Sequence, residues 1–132
     1  MPGYSSGLNR ALKRDLYTAK ASGAETASTN ATAVELGDRG VVHVDVVVTA
    51  VTGTTPTLLV DIYASNDGTT YFKVATIGAN GFSLGNGADP SSINATGTYR
   101  AVVPAGHFVQ SRSRIGGTTP SFTYSVNLDA AG

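Results

Sequence analysis

The chain contains no cysteine and no tryptophan. Without cysteine, neither a disulfide framework nor a thiolate-ligated metal site can form. Charge is scarce as well: charged side chains make up 14% of the 132 residues, against roughly 25% in an average soluble domain. Nine Lys and Arg balance nine Asp and Glu, so the formal net charge is zero. That balance excludes a strongly basic nucleic-acid binder as the whole-chain reading, and an acidic disordered tail. A surface so poor in net charge favours association over a solitary, well-solvated state. Long apolar runs are also missing. The most apolar stretch, Val41 to Val51, is interrupted by His43 and Asp45 and falls well short of the ~20 apolar residues of a membrane-spanning helix. The opening, MPGYSSGLNRALKRD, is basic with no apolar stretch behind it, so no secretory signal is expected. The sequons Asn30-Ala-Thr32 and Asn94-Ala-Thr96 are then chance matches in a Thr-rich chain.

What is present divides the chain into two parts within a length suited to one domain. Arg10, Lys13, Arg14 and Lys20 stand against Asp15 alone in residues 1–20, and the remainder carries the compensating acidic excess. Leu8, Ala11, Leu12, Leu16 and Ala19 recur at i, i+3, i+4 spacing, which predicts a short amphipathic helix over 8–20. Ser5 or Ser6 can cap its start and Gly23 can end it. A helix this short is marginal alone in water, so it needs a surface, either its own domain or another subunit. Residues 21–33 are small and polar without periodicity and read as an extended linker. The expected organisation is an N-terminal arm, 1–33, followed by a β-domain, 34–132.

The β-domain is announced by β-branched and alternating segments bounded by Gly, Pro and Asn: Val41–Thr52, Thr57–Ser65, Tyr71–Ile77, Thr98–Pro104, His107–Ile115 and Ser121–Leu128. With no helices between them, the expected fold is all-β, an antiparallel β-sandwich or jelly-roll-like barrel. Val42, Val44, Val46, Val48 and Ala50 share one strand face, and Leu58, Val60, Ile62 and Ala64 another. Paired as a hairpin with Gly53–Thr57 as the loop, these faces coincide when Val48 lies opposite Ile62. Phe122, Tyr124, Val126 and Leu128 are expected in the same core. Ser65-Asn66-Asp67-Gly68 reads as a tight turn, since Asn, Asp and Gly tolerate positive φ. The motif Gly-Thr-Thr-Pro occurs twice, at Gly53–Pro56 and Gly117–Pro120, and is read as one turn chemistry used twice to feed a strand.

No catalytic constellation assembles from the sequence. His43 and His107 have no companions at metal-ligand spacing, and in the expected register Asp45 and Asp61 do not pair as glycosidase carboxylates would. There is no G-x-S-x-G elbow. Gly85-Asn-Gly87 and Gly116-Gly117 lack the following helix of a phosphate loop. No cofactor, metal or small-molecule substrate is expected. Three features point instead to binding. The basic helix is a docking arm carrying Leu8, Arg10, Leu12, Lys13, Arg14 and Leu16, or else it packs on its own domain. Residues 78–97 read as a long loop, of a length often functional in compact domains, with Phe82, Leu84 and Ile93 as anchors or as interface contacts. The strand His107–Ile115 sets Phe108, Gln110, Arg112 and Arg114 on one face. So polar a strand suits an edge, or a subunit interface where Arg112 and Arg114 meet carboxylates through their bidentate forks.

The run Leu36-Gly-Asp-Arg39, the Val-rich strand followed by G-T-T-P and a Leu/Val strand, S-N-D-G-x-x-Y, and the ending G-T-T-P-S-F-T-Y-S-V together resemble small virion proteins of tailed bacteriophages, particularly those of actinobacterial hosts. Residues 1–33 lie outside the resemblance. It implies a non-enzymatic structural protein, foremost a head decoration (cement) protein on the capsid surface, made in the host cytoplasm. Its expected partners are the major capsid protein and its own copies, as a dimer or trimer, with no nucleic acid or membrane. A tail-tube, minor tail or baseplate component is the alternative, and a surface carbohydrate-binding module the third. Against the third stand the missing tryptophan and the placing of Tyr63, Tyr71 and Tyr99 in separate segments.

Overall fold

The computed structural model of the chain describes residues 14–131. They form an all-β fold of seven strands: β1 (Arg14–Glu25), β2 (Val34–Glu35), β3 (Val41–Ser65), β4 (Phe72–Gly78), β5 (Gly81–Leu84), β6 (Gly97–Pro104) and β7 (Phe108–Ala131). Every pairing is antiparallel. The path runs β1-β7-β3-β4-β5, with β2 also on β7 and β6 also on β3.

Two long strands organise the molecule. β3 and β7 pair from Val41↔Ala131 to Ser65↔Phe108, with bulges around their midpoints. β6 and β4 flank opposite ends of β3 on the side away from β7, yet β6 also approaches β4 and β5. The sheet therefore folds over at its middle, sandwich-like, and encloses a core between the two halves. The expected hairpin of Val48 on Ile62 is corrected here. Both residues belong to one strand, with Val48 opposite Tyr124 and Ile62 opposite Ser111. The expected core faces hold nonetheless. Val42, Val44, Val46, Val48, Leu58, Val60, Ile62, Ala64, Phe122, Tyr124, Val126 and Leu128 are all buried, and each large aliphatic or aromatic side chain contributes roughly 1.5–3 kcal/mol. Ala50 is the exception and is exposed, just before the bend.

The bend is made by the two Gly-Thr-Thr-Pro motifs, which lie against each other rather than each closing a turn. Thr52 pairs with Ser121, Thr54 with Thr118 and Thr57 with Gly116. Their backbones match: Gly53 and Gly117 both have φ of 112°, and Thr55 and Thr119 have 46° and 45°. A Cβ on Gly53 would lie 2.7 Å from the Thr119 carbonyl oxygen, and one on Gly117 2.7 Å from that of Thr55. Only glycine allows this approach in this conformation.

Four further expectations are corrected. Arg14–Glu25 is a strand on the β7 edge, not the C-terminal part of a helix, while Leu8, Arg10, Leu12 and Lys13 fall outside the described residues. Residues 21–33 are not a free linker, because 21–25 belong to β1, Ala31 N–H donates to Ser111 O (2.9 Å) and Ser113 N–H to Thr29 O (2.9 Å), and just beyond them Leu36 N–H donates to His107 O (2.7 Å). The strand His107–Ile115 is consequently covered on both sides and is not an edge. Residues 78–97 are not one open loop. β5 forms a hairpin with β4, and Ile93 exchanges two backbone hydrogen bonds with Leu58 (2.9 and 2.7 Å). The Ser65–Gly68 turn appears as expected. The Ser65 hydroxyl accepts from Gly68 N–H (2.9 Å), and the Asp67 carboxylate accepts from Thr69 and Thr70 N–H (2.8 and 2.9 Å). These amides, Thr70 first, hold the Asp67 carboxyl below its usual range.

Candidate interaction surface

Strand alternation turns the odd-numbered residues of the first half of β3 away from the core. His43 is paired across the sheet with Val102 on β6 and Asp129 on β7, and Asp129 with Leu16 on β1. One row of the outer face thus reads Leu16, Asp129, His43, Val102. Phe82 of β5 joins it, forming with His43, Asp45, Arg100, Ala101 and Val102 a cleft of about 260 Å³. Asp45 and Arg100 make an ion pair of 3.0 Å at its side. The apolar members stand in solvent: Leu16 is 80% exposed, Leu84 56%, Val102 47% and Phe82 40%. Phe82 and Leu84 project together because they are two residues apart on one strand.

The outer face of the second half is polar and laced by side-chain hydrogen bonds. Asp61, only 4% exposed, accepts from Thr76 Oγ1 (2.6 Å) and from Nε and Nη2 of Arg114 (2.8 and 2.9 Å). Arg114 also donates through Nη1 and Nη2 to Asp89 (both 2.8 Å). Its guanidinium is pinned between two carboxylates, and Asp89, then Asp61, raise its pKa. Arg114 in turn holds the Asp89 carboxyl below its usual range. Two residues earlier, Arg112 lies with Cζ 3.8 Å from the Tyr63 ring centroid and 5.7 Å from that of Tyr71. Its Nε donates to Gln110 Oε1 (2.7 Å).

On the inner side, Glu25 Oε1 accepts from Tyr124 OH (2.7 Å) and Ser113 Oγ (2.9 Å). This explains two polar groups in the core and drives the Tyr124 phenol, chiefly by burial, well above its usual pKa. The Lys20 ammonium sits 4.1 Å from the Tyr124 ring centroid and donates to three carbonyls, of Ala21, Gly23 and Tyr124.

The residues picked from the sequence separate accordingly. Phe82, Leu84 and Leu16 are exposed, and Arg14 pairs through its backbone with Ala131. Ile93 is fully buried, so it anchors the segment and offers no contact. Phe108 is half-buried, beside the His107 ring and close to Gly68. Arg114 meets its carboxylates within the chain, leaving Arg112 as the unneutralised arginine of the pair. His107 pairs with Glu35 (2.8 Å) and His43 is exposed in its strand. Asp45 and Asp61 are far apart on one strand, each beside its own arginine. Among the described residues no three His, Asp or Glu side chains converge on a metal-sized space. Sequence reasoning missed Val102 and the convergence of Tyr63 with Tyr71. Alternation within β6 could have flagged Val102, whereas the tyrosines meet through the β3–β4 pairing and Arg112 reaches them through the β3–β7 register. Comparison of the chain with protein-family models, with curated proteins and with solved structures found no match in any of the three.

Proposed function

We propose that this protein is a non-enzymatic structural component of a tailed-bacteriophage virion, a capsid decoration protein that binds the outer lattice through contacts with the major capsid protein and with its own copies. The observation that carries this reading is the cleft that Phe82 and Val102 line on the outer sheet face, with Leu84 and Leu16 also exposed. Contiguous exposed apolar surface marks interaction sites. The low charge of the chain acts in the same direction. Cement action is linkage: a protein that binds only the assembled lattice stabilises it by mass action, without chemistry. Copies at lattice symmetry positions form dimers or trimers naturally.

Cryo-electron microscopy of the purified virion tests this. Density for the sheet on the outer capsid shell, with the Phe82 face turned toward capsid subunits, is the expected result. Density in stacked tail rings replaces the reading with that of a tail-tube or baseplate component. The reading as a surface carbohydrate-binding module gains one observation, because Tyr63 and Tyr71 flank a single guanidinium instead of lying apart. Titration with host glycans decides it, and absence of saturable binding removes it.

A further inference from the structure

Of the arginines whose side chains are described, Arg39, Arg100 and Arg114 each pair with an aspartate. Arg112 has no carboxylate partner among the described residues, yet it is the one held most firmly by uncharged neighbours. The Tyr63 ring stacks on its guanidinium, Tyr71 stands nearby, and Gln110 Oε1 takes the Nε hydrogen. Gln110 is itself fixed, since its Nε2 donates to Ala31 O (2.8 Å). The backbone of Arg112 is bridged to Asn30 on one side and paired with Asp61 on the other. What remains is the outer edge, Nη1 and Nη2, which bonds nothing among the described residues and is not fully buried, Arg112 as a whole being half-buried.

We propose that Arg112 anchors a docking site for an acidic side chain of a partner protein, whose carboxylate takes the Nη1–Nη2 edge in the end-on bidentate mode while its neighbours pack on Tyr63 and Tyr71. The planar fork matches a carboxylate. Ordering a free arginine on binding costs rotamer entropy, and here the order is already supplied by folding. The surroundings select the ligand. A single guanidinium balances a single carboxylate. The neighbouring charges balance, Asp61 and Asp89 against Arg114 and Lys73, so the anion meets Arg112 alone, and inorganic phosphate has no apolar stem to pack on the tyrosines. The site is independent of where the protein assembles, and so of the virion reading.

The test follows the arginine Nε–Hε signals of the full-length protein by NMR. Titrants are hexaglutamate, hexaglutamine and inorganic phosphate. The expected result is a saturable shift of the Arg112 signal and of the Tyr63 ring with hexaglutamate only, with Arg114 unmoved. Arg112→Lys keeps the charge and loses the fork, and should weaken binding by about tenfold. Arg112→Gln should abolish it, the unchanged remainder of the spectrum showing that the variant is folded. No saturable shift overturns the proposal. So does phosphate binding as tightly as the peptide, which makes the site one for free anions, or an equal response to hexaglutamine, which makes it a site for neutral polar chains.

Discussion

Arg112 and Arg114 lie two residues apart on one strand face, and the spacing alone placed them together. Which of them finds a carboxylate was not legible, because Asp89 arrives from the segment after β5 and Asp61 from a strand whose register the sequence did not reveal. The difference has an energetic consequence. Arg114→Ala leaves the buried Asp61 carboxylate with only the Thr76 hydroxyl, an uncompensated charge that should cost about 3 kcal/mol. Asp89→Asn removes a partner that is 43% exposed and should cost under about 1 kcal/mol. Urea denaturation of the two variants checks the ordering, and equal losses would show that Asp61 is solvated without its arginine. Tyr124 supplies a pH dependence. Its folded pKa lies above the unfolded value, so the folded state resists the loss of a proton that the unfolded chain gives up readily. The contribution is intact below about pH 10, the ordinary tyrosine pKa, and declines above it. Tyr124→Phe should lose about 1 kcal/mol at neutral pH with the Glu25 hydrogen bond. It should also flatten the alkaline fall in thermal stability, and an equally steep fall in both proteins would assign that fall to other groups.

At the scale of elements, the alternating valines and leucines gave the buried faces correctly and the connection between them wrongly. Glycine and proline punctuate chains, so Gly53–Pro56 read as the end of a strand. Two copies facing each other do something different. Each supplies the positive φ and the bulge that the other needs, and both strands continue through the bend. The motif at Gly117–Pro120 was visible, but its meaning lay in the pairing of residues 64 positions apart in register with Gly53–Pro56. Matched geometry predicts matched energetics. Gly53→Ala and Gly117→Ala each place a methyl 2.7 Å from a carbonyl oxygen at φ of 112° and should each cost at least about 2 kcal/mol. Thr55→Asn and Thr119→Asn put a residue more tolerant of left-handed backbone where a β-branched one now sits. Each should gain about 0.5 kcal/mol. Thermal melts of the four variants test the pairwise symmetry, and unequal effects within a pair would mean that the two copies carry different loads.

For the whole molecule, the decisive misreading was of the N-terminal region. Leu16 and Ala19 fit a helical stripe, yet β7 offers Phe122–Ala131 as an unpaired edge, and covering that edge satisfies backbone groups along its length. Tertiary pairing overrode a stripe built partly from alanine, leaving Leu16 in solvent and Ala19 in the core. The division at residue 33 therefore cuts through a sheet whose pairings begin at Arg14. Deleting residues 1–33 removes β1, the Glu25 acceptor of Tyr124 and Ser113, and the backbone partners of Ser111 and Ser113 at Ala31 and Thr29. It should abolish cooperative folding, since several buried polar groups lose their partners together. Deleting residues 1–13 keeps every described pairing and should leave a cooperative thermal transition. The shorter deletion is then the one that can test docking. If the arm carries it, virions grown with the 1–13 deletion should lack the protein although it folds. If the sheet face carries it, that variant should still be incorporated, and Phe82→Ser with Val102→Ser should remove it from particles while keeping a cooperative, modestly lowered melting transition, because the two side chains are 40% and 47% exposed.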